Sequence, residues 1–159
     1  MTFLYQTYLN QFDEANFEPD GFTTIVAQNT QSVLRFFDYD IVITPHEAEP
    51  SYRMFVDGDS LVRIVEGCNG ISVIILFIAF IIAFSSKWIK TILFISFGIL
   101  LIHLLNVARI ALLILGLIYY PQYEHIMHDI FFPLIIYGVV FGLWALWINK
   151  FSFYAKKTD

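Results

Sequence analysis

The chain predicts an α-helical membrane protein: three transmembrane helices carrying a small extracytoplasmic helix and a β-hairpin. Three observations predict it. Hydrophobic residues make up 58% of the 159 residues and charged residues only 14%, far from the average of a soluble domain. Residues 70–86, 91–120 and 130–148 are apolar stretches, each close to or beyond the ~20 residues that cross ~30 Å of hydrocarbon. Residues 1–66, by contrast, hold eleven of the fourteen acids and three of the nine bases. The expected organisation is therefore an outer region over 1–66, a membrane core over 67–150 and a cytoplasmic tail over 151–159. The acidic front half and the lack of a basic patch exclude nucleic acid as a partner. Membrane lipid is the partner that the apolar stretches imply.

The opening Thr2–Leu9 run is apolar but too short to span a bilayer. It reads as the last turns of a longer helix, so a fourth transmembrane helix is expected upstream, testable by reading the genomic frame. No charged leader or cleavage site marks a signal peptide. Residues 10–22 are acidic, with Pro19 and Gly21, and read as a loop. From Thr23 or Thr24 to about Asp38, Ile25, Val26, Val33, Leu34, Phe36 and Phe37 recur at helical spacing. This amphipathic helix fits either the membrane surface or the strands that follow. Its lack of Lys argues against a purely lipid-surface role.

Ile41–Thr44 is β-branched and stops at Pro45. Tyr52–Val56, then Asp57-Gly58, then Ser60–Val65 is a hairpin signature, because Asp-Gly supplies the positive φ angles of a tight turn. The second strand runs almost directly into Glu66-Gly67-Cys68-Asn69-Gly70, which contains the only cysteine. A small sheet is thus expected to hold the cysteine loop over the start of the next helix. One cysteine cannot form an internal disulfide, so it does not report the redox compartment.

The lysines orient the three spans. Lys87 and Lys90 follow the first; Lys150, Lys156 and Lys157 follow the third. Positive charge marks the cytoplasmic side, so residues 1–66 and 121–129 face outward. Within the second span His103, Asn106 and Arg109 recur every three residues and form one stripe. Arg109 lies eighteen residues beyond Thr91, or about 27 Å at 1.5 Å per residue, near the outer boundary. Cys68 begins the first span and His128 precedes the third, at that same level.

Each residue also has a plainer reading. Cys68 fits a small buried apolar residue, Arg109 a snorkelling anchor, Asn106 a helix-packing hydrogen bonder, and His128 a neighbour of the cap beside Asp129. His103 fits a packing role and His125 an exposed loop. Together, Cys68, Arg109 and His128 fit acyl transfer. The thiolate is the nucleophile, and a nearby cation or a helix N-terminus favours it. His128 takes the thiol proton and returns it to the leaving amine. Arg109 stabilises the oxyanion or holds the substrate carbonyl, and Gly67 and Gly70 admit a substrate backbone. A metal site built from Cys68, His103 and His128 ranks lower, because no tight ligand spacing is present. No metal or other cofactor is expected. A non-catalytic membrane subunit, with an outer domain that binds a partner protein, is the main alternative.

Three blocks, Glu66–Gly70, Asn106–Ile110 and His128-Asp129, resemble the motif blocks of the exosortase/archaeosortase family, and the chain looks most like the exosortase F branch. The resemblance covers roughly residues 52–148. It implies a polytopic membrane cysteine transpeptidase in a bacterial inner membrane, with its active site on the extracytoplasmic side. In that reading Cys68 matches the nucleophile, Arg109 the family arginine, His128 the histidine and Asn106 the asparagine one turn before the arginine. The implied substrate is an exported protein with a C-terminal sorting signal: a short motif, an apolar span and a basic tail. Two departures stand out. Many members have Ser or Ala where this chain has Asn69, and many carry additional N-terminal helices.

Overall fold

The computed structural model describes residues 21–46, 51–56, 59–65, 68–85 and 87–151. In chain order these form α1 (Gly21–Phe36), β1 (Ile41–Pro45), β2 (Ser51–Val56), β3 (Asp59–Val65), α2 (Ile71–Ala83), α3 (Trp88–Tyr119) and α4 (Phe132–Leu146). Short turns of helix over Pro121–Tyr123 and Glu124–Ile126 and a π-helical turn over Met127–Phe131 precede α4, and a second π turn over Trp147–Phe151 follows it. The chain divides into two compact units. One takes the described residues up to Asn69 together with Val107–Gln122; the other takes Gly70–Asn106 and the residues from Tyr123 on.

The first unit packs α1 and the end of α3 with a three-stranded sheet. Thr23, Val26, Ala27, Thr30 and Leu34 are the buried residues of α1, spaced to form one stripe. They face strands, not lipid: Val26, Ala27 and Leu34 share a core with Ile41, Met54, Val56 and Ile64 and with Ile110, Ala111 and Ile114 of α3. The Thr30 hydroxyl donates to the Val26 carbonyl at 2.8 Å, which satisfies it inside that core. Gln31 Nε2 and Arg35 Nη2 both donate to the Ile41 carbonyl, at 2.8 and 3.0 Å. Asp38, at φ 62°, turns the chain from α1 towards β1.

The sheet order is β1-β2-β3, antiparallel throughout. The expected hairpin is therefore two-thirds of a sheet, and Ile41–Pro45 is its third strand. The added strand has a physical reason, since an isolated hairpin is marginal in water and a third strand with a covered face is not. Pro45, paired with Tyr52 at the end of an edge strand, lacks only an N–H that the edge does not need. Met54 pairs with Val62 but Phe55 with Ser60, so Leu61 is an extra residue that bulges β3. The Asp57-Gly58 turn lies outside the described residues.

The second unit contains the apolar helices. Two are long and apolar enough to cross a membrane, Trp88–Tyr119 and the continuous helix Met127–Phe151. The first apolar stretch, expected as a full span, forms a helix of only 13 residues, about 20 Å long. It ends where the Phe84 carbonyl accepts from Trp147 Nε1 at 2.9 Å. Ile74, Phe77 and Ile81 are the buried side of α2, and Phe132, Ile136, Val140 and Leu143 that of α4. Phe80 stacks on Trp144 with centroids 4.4 Å apart, and Phe94 lies 4.8 Å from Trp147. Gly98 lets α3 approach the Phe77 ring; a Cβ there would overlap that ring.

Outside this packing, Ile89, Leu93, Phe97, Leu100 and Leu104 form an exposed apolar stripe along α3, and Leu134, Tyr137 and Phe141 another along α4. In water such surfaces drive association; in a bilayer they are the required surface. At 32 residues, or about 48 Å, α3 exceeds the ~30 Å hydrocarbon core. Its surplus is used: the residues from Val107 on belong to the first unit, where Ile110, Ala111 and Ile114 complete the core.

Candidate functional site: the cysteine loop

Cys68 lies three residues after the end of β3 and three before the start of α2. It is in no disulfide and is half-buried. Glu66 and Gly67 lie outside the described residues. The two residues after the cysteine are each held by a buried side chain. Asn69, buried, donates from Nδ2 to Thr23 Oγ1 of α1 at 3.1 Å. Gly70 caps α2 in the left-handed conformation, φ 81°, and its carbonyl accepts the first α2 bond from the Ile74 N–H at 3.1 Å.

Asn106 packs against Gly70 and is itself buried. A Cβ added at Gly70 would stand 3.2 Å from the Asn106 side-chain carbon Cγ. The space that a side chain would occupy at Gly70 is filled by Asn106, so this glycine is the residue that fits the fold here. Asn106 is in turn more than a partner for another helix: it is the floor under the last residue of the cysteine loop.

Arg109 is half-buried, and its Nε is buried with no hydrogen-bond partner among the described residues. The adjacent Ile110 and Ala111 fix its register by entering the core of the first unit. Arg109, Cys68 and Asn69 belong to that unit; Gly70, Asn106, His103 and His128 belong to the other. A cation with an unfilled N–H is a donor for an anionic or carbonyl oxygen.

His128 lies in the π turn that leads into α4. Its Nδ1 is 2.7 Å from Asp129 Oδ1, while His125 Nδ1 is 2.8 Å from Asp129 Oδ2. One carboxylate thus holds two imidazoles. A carboxylate accepts, so each Nδ1 carries the proton and the Nε2 of His128 is left as the basic nitrogen. His128 is half-exposed, so that nitrogen is open to approach. The sequence singles out His128 but assigns Asp129 no function and His125 only an exposed loop. The signal is present in the spacing: His125 and Asp129 are four apart, which makes them neighbours once the segment is helical. Among the described residues no group of three or more His, Cys, Asp or Glu is arranged to hold a metal ion.

Taken separately, the described residues hold a cysteine next to a pinned asparagine, an arginine whose Nε has no hydrogen-bond partner among the described residues, and a histidine oriented by a carboxylate. The sequence model of the transmembrane exosortase family matches residues 17–149. The chain therefore belongs to the transmembrane exosortase family. The match is to the family as a whole and does not single out a branch. No curated protein and no solved structure matches the chain.

Proposed function

We propose that this protein is a membrane-embedded cysteine transpeptidase or protease that processes the C-terminal sorting signals of exported proteins at the outer face of a bacterial inner membrane. In this reading the chain crosses the membrane three times. α2 with its flanks is the short first crossing, accommodated by local thinning of the bilayer. The region 1–66 faces outward and the tail from residue 151 is cytoplasmic.

The reaction is written as two acyl transfers. The Cys68 thiolate attacks the scissile carbonyl carbon, and an S–C bond forms while the carbonyl oxygen takes the negative charge. The Arg109 guanidinium donates to that oxyanion. The proton from the thiol, held on His128 Nε2, passes to the leaving amine as the C–N bond breaks. A thioester remains. An acceptor nucleophile then attacks it, gives its proton to His128, and releases the Cys68 thiolate. Asp129 keeps the His128 ring in the tautomer that both transfers need.

The observation that carries this reading is the loop itself. The sole cysteine of an exosortase-family chain stands between two residues of fixed structure, the end of β3 on one side and Asn69, pinned to α1, on the other. A cysteine that only filled a core would not require buried polar pins beside it. The test uses Cys68→Ala and Cys68→Ser in cells that express a reporter ending in a short motif, an apolar span and a basic tail. Loss of processing in both is expected. Continued processing by both would leave the chain as a non-catalytic membrane subunit.

A further inference from the structure

Two neighbouring threonines at the start of α1 hold two different parts of the first unit. Thr24 Oγ1 lies 3.1 Å from the Tyr52 hydroxyl, which fastens α1 to β2. Thr23 Oγ1 accepts from Asn69 Nδ2 at 3.1 Å, which fastens α1 to the cysteine loop across 46 residues of sequence. Thr23 is 0% and Asn69 2% exposed, so the second bond is dry. Burying an amide and a hydroxyl is unfavourable unless they are joined, and apolar residues of the same size would fill the space without that cost. What the polar pair supplies is direction, because a hydrogen bond fixes where its two ends stand and an apolar contact does not.

The residue so fixed follows Cys68 directly. Upstream, the sheet ends at Val65. The thiol therefore sits between a strand end three residues before it and a side-chain pin one residue after it. Thr23 in turn is held by a helix whose next residue is bonded to the sheet. The pin and the strand end are thus parts of one compact body.

We propose that Thr23 and Asn69 are positioning residues for the Cys68 nucleophile, with the buried Thr23–Asn69 bond setting where the thiol stands. This rests on the reading of Cys68 as the nucleophile. Both residues act through the loop and not on the reacting atoms.

The test exploits the single cysteine. The full chain, in native membranes, is treated with N-ethylmaleimide between pH 6 and 9, and the alkylation rate of Cys68 is followed by mass spectrometry. The variants are Thr23→Val, Thr23→Ser, Asn69→Ala and the double variant Thr23→Val/Asn69→Ala. A misplaced reacting group costs up to about 100-fold in rate, and a change on the order of tenfold is expected here for Thr23→Val and for Asn69→Ala. Thr23→Ser keeps the hydroxyl and is expected within about twofold of the parent. The double variant is expected to match either single one, since one bond cannot be lost twice. A Thr23→Val profile equal to the parent, or single effects that multiply in the double, would overturn the proposal. If Thr23→Val does not accumulate, Asn69→Ala and Thr23→Ser decide between the same outcomes: a parent-like Asn69→Ala rate, or an equal loss in Thr23→Ser, overturns it. The nucleophile reading fails separately. It falls if Cys68→Ala still processes the reporter, whereas an inactive Cys68→Ala beside a parent-like Thr23→Val removes the pin alone.

Discussion

Replacing Gly70 by Ala tests the geometry of the cysteine loop at its tightest point. Two costs follow from the structure. The backbone stands at φ 81°, and holding an L-residue in the left-handed region costs roughly 1–2 kcal/mol. The new Cβ also lies 3.2 Å from Asn106 Cγ, closer than ordinary van der Waals contact, so a buried asparagine must shift by a few tenths of an ångström. The backbone cost is the larger, because a side-chain end yields more readily than a φ angle. The expected result is a loss of about 1–2 kcal/mol in unfolding free energy, with a larger loss of reporter processing, since the strain falls two residues from the thiol. Gly138→Ala is the control. Nothing lies within 4 Å of a Cβ there, and in the middle of α4 the exchange is expected to stabilise by about 0.5–1 kcal/mol. Thermal unfolding in detergent and processing in cells are the two assays. A Gly70→Ala protein that matches the parent in both would refute the left-handed cap and the Asn106 floor together. If Asn106→Ala restored Gly70→Ala fully, the contact and not the backbone would be the dominant cost.

Two further outcomes are expected. Asp129→Asn removes the carboxylate that fixes the His128 tautomer, and processing is expected to fall by about 10- to 100-fold, less than for a fully buried triad acid because Asp129 is half-exposed; an unchanged rate would show that His128 needs no orienting group. Gly98→Ala drives a methyl into the buried Phe77 ring and is expected to cost about 1–3 kcal/mol, with part of it recovered in Gly98→Ala/Phe77→Leu; full stability in the single variant would contradict the close approach of α2 and α3.

Much of this architecture is legible in the sequence because it is written locally. Periodicity gives α1, β-branching and Asp-Gly give the strands, and apolar runs give α3 and α4, with α3 expected over 91–120 and found over Trp88–Tyr119. What is not legible is long-range. The face of α1 points equally to lipid or to strands, and only the shared core with Met54, Val56 and Ile114 decides for strands. The excess length of the second span suggests tilt, bend or protrusion; its last turns serve as core for the sheet. The 17-residue, mainly apolar stretch over 70–86 reads as a span, but hydropathy does not register where a helix stops: α2 takes only Ile71–Ala83, and the Phe84 carbonyl beyond it accepts from the Trp147 indole.

The site divides in the same way. Cys68, Arg109 and His128 stand out as chemically able residues in apolar surroundings. Asn69 stands out as a supporting residue beside the cysteine and as a departure from the family pattern, and nothing in the sequence hints that Thr23 answers it from 46 positions away. Gly70 stands out as a glycine beside the cysteine, but that Asn106 packs where its side chain would be is not written in the sequence. Asp129 is adjacent to His128 in the chain, and a helical turn over the segment is needed to bring His125 to the same carboxylate.

The solitary thiol has a consequence for oxidative chemistry. Many redox-exposed cysteines are protected by a second cysteine that captures the sulfenic acid as a disulfide, from which a reductant recovers the thiol. This chain contains one cysteine. Once Cys68 is oxidised to sulfenic acid, no resolving thiol of its own is at hand, and rescue must come from a small thiol or from another protein. Without it, further oxidation to the sulfinic and sulfonic acids is a one-way loss of the group.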